Sequence, residues 1–299
     1  MLEFRKILCP VDFFKASSRA FDYAVKIAVS YGAKVHVLHV VAPVIPSSYG
    51  APFSVEDLTA DLEKESKRLL QKYKDRAARA NVALTTEVGF GDIDLGILNA
   101  VEDQKADLVV MGTHGRRGFE RLILGSVAER MIRQCPVPVL TIAAAKKVGS
   151  TPPKIRRILV TTDFSEGTAE AVALALSIGK RNRAKITLLH VLHDEAAEAA
   201  GRYRDSLIRG IELQLQKFIP ERAHEWSEVE TRIEDGSPAA VIANLVKSGS
   251  FDLLVMNIHG KSLIDRALVG STAERTLREA SGICPVLLIP PAKRGKRKR

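Results

Sequence analysis

Residues 107–112, Asp-Leu-Val-Val-Met-Gly, form an apolar run that ends on a glycine, and residues 252–257, Asp-Leu-Leu-Val-Met-Asn, repeat it 145 positions later. The stretch Gly-Ser-Val-Ala-Glu-Arg at 125–130 returns at the same interval as Gly-Ser-Thr-Ala-Glu-Arg at 270–275. Repetition at a fixed interval is the signature of a duplicated structural unit. These stretches predict two copies of one fold in a chain of 299 residues.

Further matches extend the repeat over most of the chain, in the same order in both halves. They pair residues 6–12 with 157–163, 38–40 with 189–191, and 135–137 with 284–286. Between the copies, residues 146–154 combine glycine, serine, threonine, two prolines and lysines, which is typical of a linker. We therefore predict a first domain at 1–145, a second at 155–292, and a basic tail at 293–299.

Each half alternates short apolar runs with segments of helical periodicity. In the first half we predict strands at 7–11, 34–41, 82–88, 107–112 and 137–143, and helices at 17–30, 54–80, 92–104 and 126–134. In the second half, Ser237 and Pro238 have the residue types of an N-cap and a first helical position. Strands that alternate with helices predict an α/β fold, here two tandem doubly wound parallel sheets.

The connection after the fourth strand carries the clearest chemical signal. Gly112 and Gly115 bracket the start of this loop, and Gly125 and Ser126 open the next helix. Glycines let a ligand approach the backbone, and a helix N-terminus presents free N–H groups that suit phosphate. Arg116, together with Arg117 and Arg121, could neutralise a polyphosphate. An alternative is purely structural, because residues 126–129 and 271–274 also fit a capping box.

The pattern Gly-x2-Gly-x9-Gly-Ser at Gly112, Gly115, Gly125 and Ser126 resembles that of the universal stress protein family, in its tandem two-domain form. An aspartate after the first strand (Asp12, Asp163), a Leu-His-Val second strand and a Cys-Pro-Val last strand support the resemblance. It implies five-stranded domains that bind ATP or a related adenine nucleotide, with or without Mg²⁺.

The resemblance also implies roles for single residues. Asp12 would meet the adenine or ribose edge, although a local turn or cap role is the alternative, and the backbone around Val40 would contact adenine. The ribose and phosphates would lie against Gly112, Gly115, Gly125 and Ser126, with Arg116 nearby.

The second half departs from the pattern at one position. Its matching residues are Asp163, Val191, Gly260, Gly270 and Ser271, but Asn257 replaces the first glycine, and Lys261 stands where the first half has an arginine pair. We expect the amide of Asn257 to occupy space that the ligand or backbone would use. The second site is therefore predicted to be weaker, altered or vacant.

Composition excludes several other classes of function. The chain lacks a Gly-x4-Gly-Lys-Ser/Thr loop and any run long enough to span a membrane, and its start does not resemble a signal peptide. His36 and His39 are three apart on one strand and so face opposite sides, which makes a metal site improbable. Three widely spaced cysteines suggest buried thiols in a reducing compartment, so we expect a cytoplasmic protein.

The net charge of +10 is concentrated at the end of the chain, where residues 293–299 hold six lysines and arginines. Such a tail is usually solvated, so binding to nucleic acid is not expected, although contact with an acidic surface stays open.

No nucleophile paired with a general base is evident, so no catalytic residue is assigned. The sequence favours a nucleotide-binding, stress-response or regulatory protein that acts through protein partners. Two alternatives remain: an enzyme that slowly hydrolyses ATP or transfers an adenylyl group, and a scaffold that does not use nucleotide. We further expect the two halves to pack as a pseudo-dimer through their last strands, near 137–142 and 286–289, with or without a homodimer of whole chains.

Overall fold

The structure is a computed structural model that describes residues 3–42, 55–113, 124–144, 154–258, 270–280 and 282–291. In the first half, strands and helices alternate as the hydrophobic periodicity predicts. The elements are β1 (Lys6–Pro10), α1 (Lys15–Tyr31), β2 (Lys34–Val41), α2 (Val55–Arg79), β3 (Leu84–Phe90), α3 (Ile93–Asp103), β4 (Leu108–Gly112), α4 (Ser126–Gln134) and β5 (Val139–Ile142).

The second half repeats this order with one difference. Its elements are β6 (Arg157–Thr161), α5 (Thr168–Asn182), β7 (Lys185–Leu192), α6 (Asp194–Ala200), α7 (Arg204–Gln216), β8 (Val229–Asp235), α8 (Pro238–Lys247), β9 (Leu253–Asn257), α9 (Ser271–Ala280) and β10 (Val286–Ile289). Two helices, α6 and α7, stand in place of the long α2. Gly201, at a φ of 45°, separates them, because its backbone leaves the helical region there. As predicted, Ser237 is the N-cap of α8 and Pro238 its first residue.

The ten strands within the described residues form one sheet in the order β3-β2-β1-β4-β5-β10-β9-β6-β7-β8. Within each half, neighbouring strands are parallel and follow the doubly wound order, which confirms the predicted fold class. The halves meet where β5 and β10 pair antiparallel, with Leu140 opposite Leu287. This is the predicted seam, but the strands of both halves belong to one continuous sheet rather than to two separate ones.

Helices cover both faces of the sheet. On one face, α1, α2, α5 and α7 pack over a single apolar core that runs across the seam. On the other face, two smaller clusters lie under α3 with α4 and under α8 with α9. Because both faces are covered, the central strands are buried along most of their length, as in β4 and β9, where four of the five residues are buried.

Candidate nucleotide site at the carboxyl ends of β1 and β4

Strand order reverses between β1 and β4, so the chain leaves these neighbouring strands toward opposite faces. Doubly wound sheets bind ligands in the crevice outside such a switch point. Asp12 follows β1 and Gly112 ends β4, so two residues that the sequence singled out lie at this crevice. The register that pairs Pro10 with Leu38 carries Val40 of β2 to the same edge.

The packing of helix α1 against the end of β4 requires a glycine at position 112. A Cβ atom on Gly112 would lie 2.8 Å from the backbone nitrogen of Ser17 and 2.9 Å from the carbonyl carbon of Ala16. Backbone atoms cannot give way as a flexible side chain can, so the first turn of α1 packs directly on the end of β4. Gly112 therefore has a packing role that the sequence did not reveal.

Asp12 organises the loop between β1 and α1. Its Oδ1 accepts hydrogen bonds from the backbone N–H of Phe14 (3.0 Å) and from the hydroxyl of Ser17 (2.5 Å). The side chain is half-buried at the edge of the sheet. The turn role considered for Asp12 is therefore present, and both of these bonds use the same carboxylate oxygen.

A histidine and a phenylalanine pack against each other beside this loop. Phe13 adopts a left-handed backbone (φ 67°), and its ring centroid lies 4.3 Å from that of His39. The Nδ1 atom of His39 lies 2.7 Å from the carbonyl oxygen of Val11, which fixes Nδ1–H as the donor. The second half repeats the arrangement with Phe164 and His190. These phenylalanines were missed from sequence, where their adjacency to Asp12 and Asp163 was the available signal.

His36 belongs to a different environment. Its Nδ1 pairs with the hydroxyl of Thr85 and its Nε2 with Glu87, both on β3. Burial lowers the pKa of His36, and the Glu87 carboxylate opposes that shift. Among the described residues, no group of three or more histidines, cysteines and acidic residues could hold a metal ion.

Helix α4 begins with an open N-terminus. Gly125 is its N-cap, with φ −65° and ψ 148°, and no side chain of the described residues caps the helix. The backbone N–H of Gly125 donates to the carbonyl of Thr113 (2.7 Å), which ties the helix entrance to the end of β4. Ser126 is the first helical residue and is exposed. The N–H groups of this first turn are therefore available to an anion.

The capping-box interpretation of residues 126–129 is wrong. A capping box needs the serine at the N-cap, but Ser126 lies inside the helix, one position later. Glu129 instead accepts a hydrogen bond from Arg133, one turn further on. Glu274 does the same with Arg278 in the second half.

An ion pair between a buried carboxylate and an exposed guanidinium joins the helices beside this edge in the first half. Asp94 on α3 is 7% exposed and pairs with Arg130 on α4. Burial raises the pKa of Asp94, whereas the Arg130 guanidinium opposes the shift. The second half has Ala239 at the matching position, and its corresponding helices α8 and α9 are joined instead by an exposed ion pair between Lys247 and Glu279.

Val40 lies near the end of β2 and packs against α3. A Cβ on Gly96 of α3 would come within 3.1 Å of the Val40 side chain, so this glycine makes room for the valine. Gly115, Arg116 and Gly260 lie outside the described residues, as do Arg117, Arg121 and Lys261.

In the second half, Asp163 accepts a hydrogen bond from the backbone N–H of Ser165 (3.0 Å), and Val191 lies in β7, as Val40 does in β2. Gly270 donates its N–H to the carbonyl of Ile258, and α9 begins at Ser271. The backbone of the second edge thus repeats that of the first.

Asn257 makes a packing and capping contact rather than projecting over the edge. Its side chain lies 3.1 Å from the Ser165 hydroxyl, and with its amide oriented to satisfy the network it also bonds the carbonyl of Gly167 and the N–H of Thr168. A Cβ on Gly167 would be 3.0 Å from the Asn257 side chain. Gly167 matches Ala16 of the first half. In the second half, therefore, the start of the helix has the glycine and the end of the strand has the side chain, which is the reverse of the first half.

All three cysteines are buried free thiols, as expected. Burial raises the pKa of Cys135 to about 11 and that of Cys284 to about 12, and it raises the pKa of Cys9 further. Thiols that stay protonated at neutral pH are poor nucleophiles and poor metal ligands. No helix among the described residues combines the length and the apolarity that crossing a membrane requires.

Comparison with known proteins assigns the family. The model of the universal stress protein family matches residues 3–143 and again residues 154–290. The chain belongs to the universal stress protein family. A universal stress protein of Methanocaldococcus jannaschii is 37% identical over 144 residues, which cover 48% of this chain and 85% of that protein. A universal stress protein of Mycolicibacterium smegmatis is 24% identical over 306 residues, covering 95% and 97% of the two chains.

The tandem architecture also occurs among solved structures. A universal stress protein from Archaeoglobus fulgidus superposes with a TM-score of 0.73 at 21% identity, covering 97% of this chain and all of that one. At this identity the likeness concerns the fold. It shows that this universal stress protein shares its overall architecture with a solved member of the family.

Proposed function

We propose that the first half of this universal stress protein binds ATP or a related adenine nucleotide in the crevice between β1 and β4. The observation that carries the proposal is the open N-terminus of α4, where a residue without a side chain, Gly125, leads into the first turn. The aligned peptide dipoles and free N–H groups of such a turn favour a phosphate group. Asp12 and Val40 lie on the neighbouring strands at the same edge, where a nucleoside would extend from that phosphate.

In this proposal, Asp12 contacts the ribose or adenine edge and the backbone at Val40 contacts adenine. Gly112, Gly115, Gly125 and Ser126 hold the ribose and phosphates, and Arg116 supplies positive charge. The Oδ1 atom of Asp12 already serves the loop, so the nucleotide would use the other carboxylate oxygen. The nucleotide state then regulates partner proteins in a stress response, and hydrolysis is slow or absent.

The second half, with Asp163, Val191, Gly260, Gly270 and Ser271, is proposed to bind nucleotide more weakly. The steric argument from Asn257 no longer supports this, because Gly167 accommodates its side chain. The proposed difference in affinity rests on charge. The first loop has Arg116 and Arg117, whereas the matching positions of the second loop supply only Lys261. One missing charge-assisted contact costs about 1.5–3 kcal/mol, or roughly tenfold to a hundredfold in affinity.

Mass spectrometry of ligand released from the freshly purified protein would identify a bound nucleotide. Calorimetric titrations with ATP, ADP, AMP and cyclic AMP, each with Mg²⁺ and with EDTA, would then rank the ligands and test for a metal. Intact ATP with no turnover supports the regulatory proposal. Turnover that depends on Asp12 or Arg116 would favour the enzyme, and no binding at all would favour the scaffold.

Gly125→Val and Gly270→Val form a matched pair that separates the two sites. The backbone of Gly125 has φ −65° and ψ 148°, which valine adopts without strain, so the fold should survive. A β-branched side chain over the first turn of α4 should abolish the tighter ATP site, whereas Gly270→Val should leave it unchanged. If Gly270→Val loses the tighter site, or if the two sites bind ATP with equal affinity, the proposed asymmetry is contradicted.

A further inference from the structure

An arginine of α4 shares the helix face that carries Ser126. Arg130 follows Ser126 by four residues, and both are exposed. Residues four apart in a helix lie on the same side, one turn from each other, and a long side chain extends toward the N-terminus of its helix. The guanidinium of Arg130 is therefore directed toward the first turn of α4, over which the nucleotide phosphates are proposed to lie.

The carboxylate of Asp94 fixes the direction of this arginine. Asp94 lies in the first turn of α3, and its Oδ2 atom pairs with the Nη1 atom of Arg130. Each of the two helices follows the carboxyl end of a strand in the parallel first half, so both begin at the same edge of the sheet. A partner in the first turn of α3 draws an arginine from the second turn of α4 toward that edge. The observed contact thus agrees with the direction that helix geometry predicts.

The ion pair is buried on the carboxylate side and open on the other. Asp94 is buried, whereas 54% of the Arg130 side chain is exposed. A guanidinium carries five N–H donors in a planar fork, so an arginine held by a carboxylate at one nitrogen can bind a phosphate through the others. The guanidinium of Arg130 would then lie between the carboxylate and the phosphate and keep the two negative groups apart.

The other carboxylate oxygen of Asp94 is buried without a partner. Its Oδ1 atom accepts no hydrogen bond from the residues that the structure describes. A buried acceptor in this state is costly, and a guanidinium that bonds both oxygens would satisfy it. Asp94 therefore has the capacity to hold Arg130 more firmly once a ligand orders the guanidinium.

The two repeats share the arginine but not the carboxylate. Arg130 matches Arg275 within the repeated Gly-Ser-x-Ala-Glu-Arg stretch, and Arg275 is also exposed. Asp94 matches Ala239, which is buried in the second half. The fold therefore forms without a carboxylate at this position, and the ion pair belongs to the half that is proposed to bind ATP more tightly.

We propose that Arg130 is a phosphate-binding residue of the first half, and that Asp94 is a positioning residue that holds its guanidinium toward the first turn of α4. The inference rests on the proposed nucleotide site and adds a cation to it beside Arg116. A further cation at the phosphates favours nucleoside di- and triphosphates over a nucleoside. It also supplies a second reason for weaker binding in the second half, because Ala239 cannot orient Arg275.

Calorimetric titrations of the full chain with ATP, ADP and adenosine test the role of Arg130. Arg130→Met should weaken ATP and ADP about tenfold or more, which is the effect of one lost charge-assisted contact, and should leave adenosine unchanged. Arg130→Lys keeps the charge but not the planar fork, so it should recover part of the loss. The matched control is Arg133→Met, which removes the same charge from the same helix. Because Arg133 pairs with Glu129 within α4, this variant should change ATP affinity by less than about twofold.

Asp94→Ala reproduces the residue of the second half and tests the positioning role. It should weaken ATP about threefold or more, because the arginine must then be ordered by the ligand alone, and it should leave adenosine unchanged. Added to Arg130→Met, it should have no further effect on ATP, since Asp94 acts through Arg130. Equal losses of ATP affinity in the parent and Arg130→Met backgrounds would contradict the positioning role.

Two results would overturn the proposal. One is an ATP affinity of Arg130→Met equal to that of the parent or of Arg133→Met. The other is tighter ATP binding in Asp94→Ala, which would mean that the carboxylate mainly repels the phosphates. Gly125→Val separates these results from a failure of the proposed function. A parent that binds no nucleotide, or a Gly125→Val variant that binds ATP as the parent does, would remove the nucleotide site itself.

Discussion

Phe13 and Phe164 hold left-handed backbone conformations at the same place in each repeat, with φ values of 67° and 62°. Bulky residues rarely adopt this region, so the surrounding contacts must compensate for the strain. In both repeats the phenylalanine ring lies against a histidine that is bonded to the backbone of the same loop. The loop that presents Asp12 is thus held in place by tertiary contacts rather than by local preference.

His36 supplies a prediction on pH dependence. Because burial lowers its pKa in the folded state, the unfolded chain binds more protons at mildly acidic pH, and stability falls as the pH decreases below the ordinary histidine pKa of 6.5. We expect His36→Gln to reduce this loss between pH 7 and pH 5, as measured by urea unfolding at several pH values. His193→Gln, which changes an exposed histidine, is the control, and an identical pH profile for His36→Gln and the parent would refute the prediction.

At the scale of elements, the two repeats solve one packing problem in opposite ways. The end of β4 has glycine where the first turn of α1 has Ala16, and the end of β9 has asparagine where α5 has Gly167. Each pair leaves room for only one side chain between strand and helix. The asparagine adds a benefit, since its amide oxygen satisfies the N–H of Thr168 at the start of α5.

Gly112→Ala should therefore destabilise the protein by about 2 kcal/mol or more, because its Cβ would meet backbone atoms of α1 that cannot rotate away. The matched control is Gly89→Ala in β3, whose Cβ would have only ordinary contacts at 3.7 and 3.8 Å. Denaturant unfolding measures both variants. Equal free energies of unfolding for Gly112→Ala and Gly89→Ala would contradict the prediction, because they would mean that α1 moves away from the added Cβ at little cost.

The second repeat permits a double-mutant cycle. Gly167→Ala alone should destabilise because its Cβ would crowd Asn257, whereas in the Asn257→Gly background the same change should be neutral or stabilising. We expect a coupling free energy of about 1 kcal/mol from urea unfolding of the four proteins. Additive effects would mean that the two residues do not share the space.

At the scale of the whole molecule, the pairing of β5 with β10 places both strands inside the sheet, whereas each would be an edge strand in an isolated half. Without its partner, β5 would expose a row of unpaired backbone groups along a strand whose four residues are all buried in the full chain. An exposed apolar edge strand is a template for pairing with another chain. The tandem arrangement therefore provides within one chain the contact that a symmetric dimer would provide between two.

A fragment of residues 1–145 should form a homodimer through β5, because the antiparallel pairing seen between β5 and β10 is self-complementary. Sedimentation would detect the dimer, and Leu140→Lys in the fragment should favour the monomer by placing a charge in the buried interface. The full chain, in which β5 is already paired with β10, serves as the reference. A fragment that stays monomeric at high micromolar concentration would contradict the prediction.

Much of this protein is determined by its sequence alone. The internal repeat, the order of strands and helices, the placement of Asp12 and Gly112 at strand ends and that of Gly125 at a helix start all follow from periodicity and local residue types. These features depend on neighbours that are close in the chain, which is why a single sequence reveals them. The bounds of α4 were predicted as observed, at 126–134, whereas the capping box at 126–129 was wrong because the N-cap is Gly125.

Only the tertiary structure decided the features that join distant residues. The merging of ten strands into one sheet depends on the pairing of β5 with β10, which are more than 140 residues apart. The fit of Asn257 to Gly167 and the packing of Gly112 on α1 likewise depend on which side chain fills a shared space. A pocket lined by Ile27 of α1 and Ile178 of α5 likewise arises because two helices from different halves meet over the seam. Close packing is a property of the assembled core, so a residue's role there is set by partners that its own sequence neighbourhood does not contain.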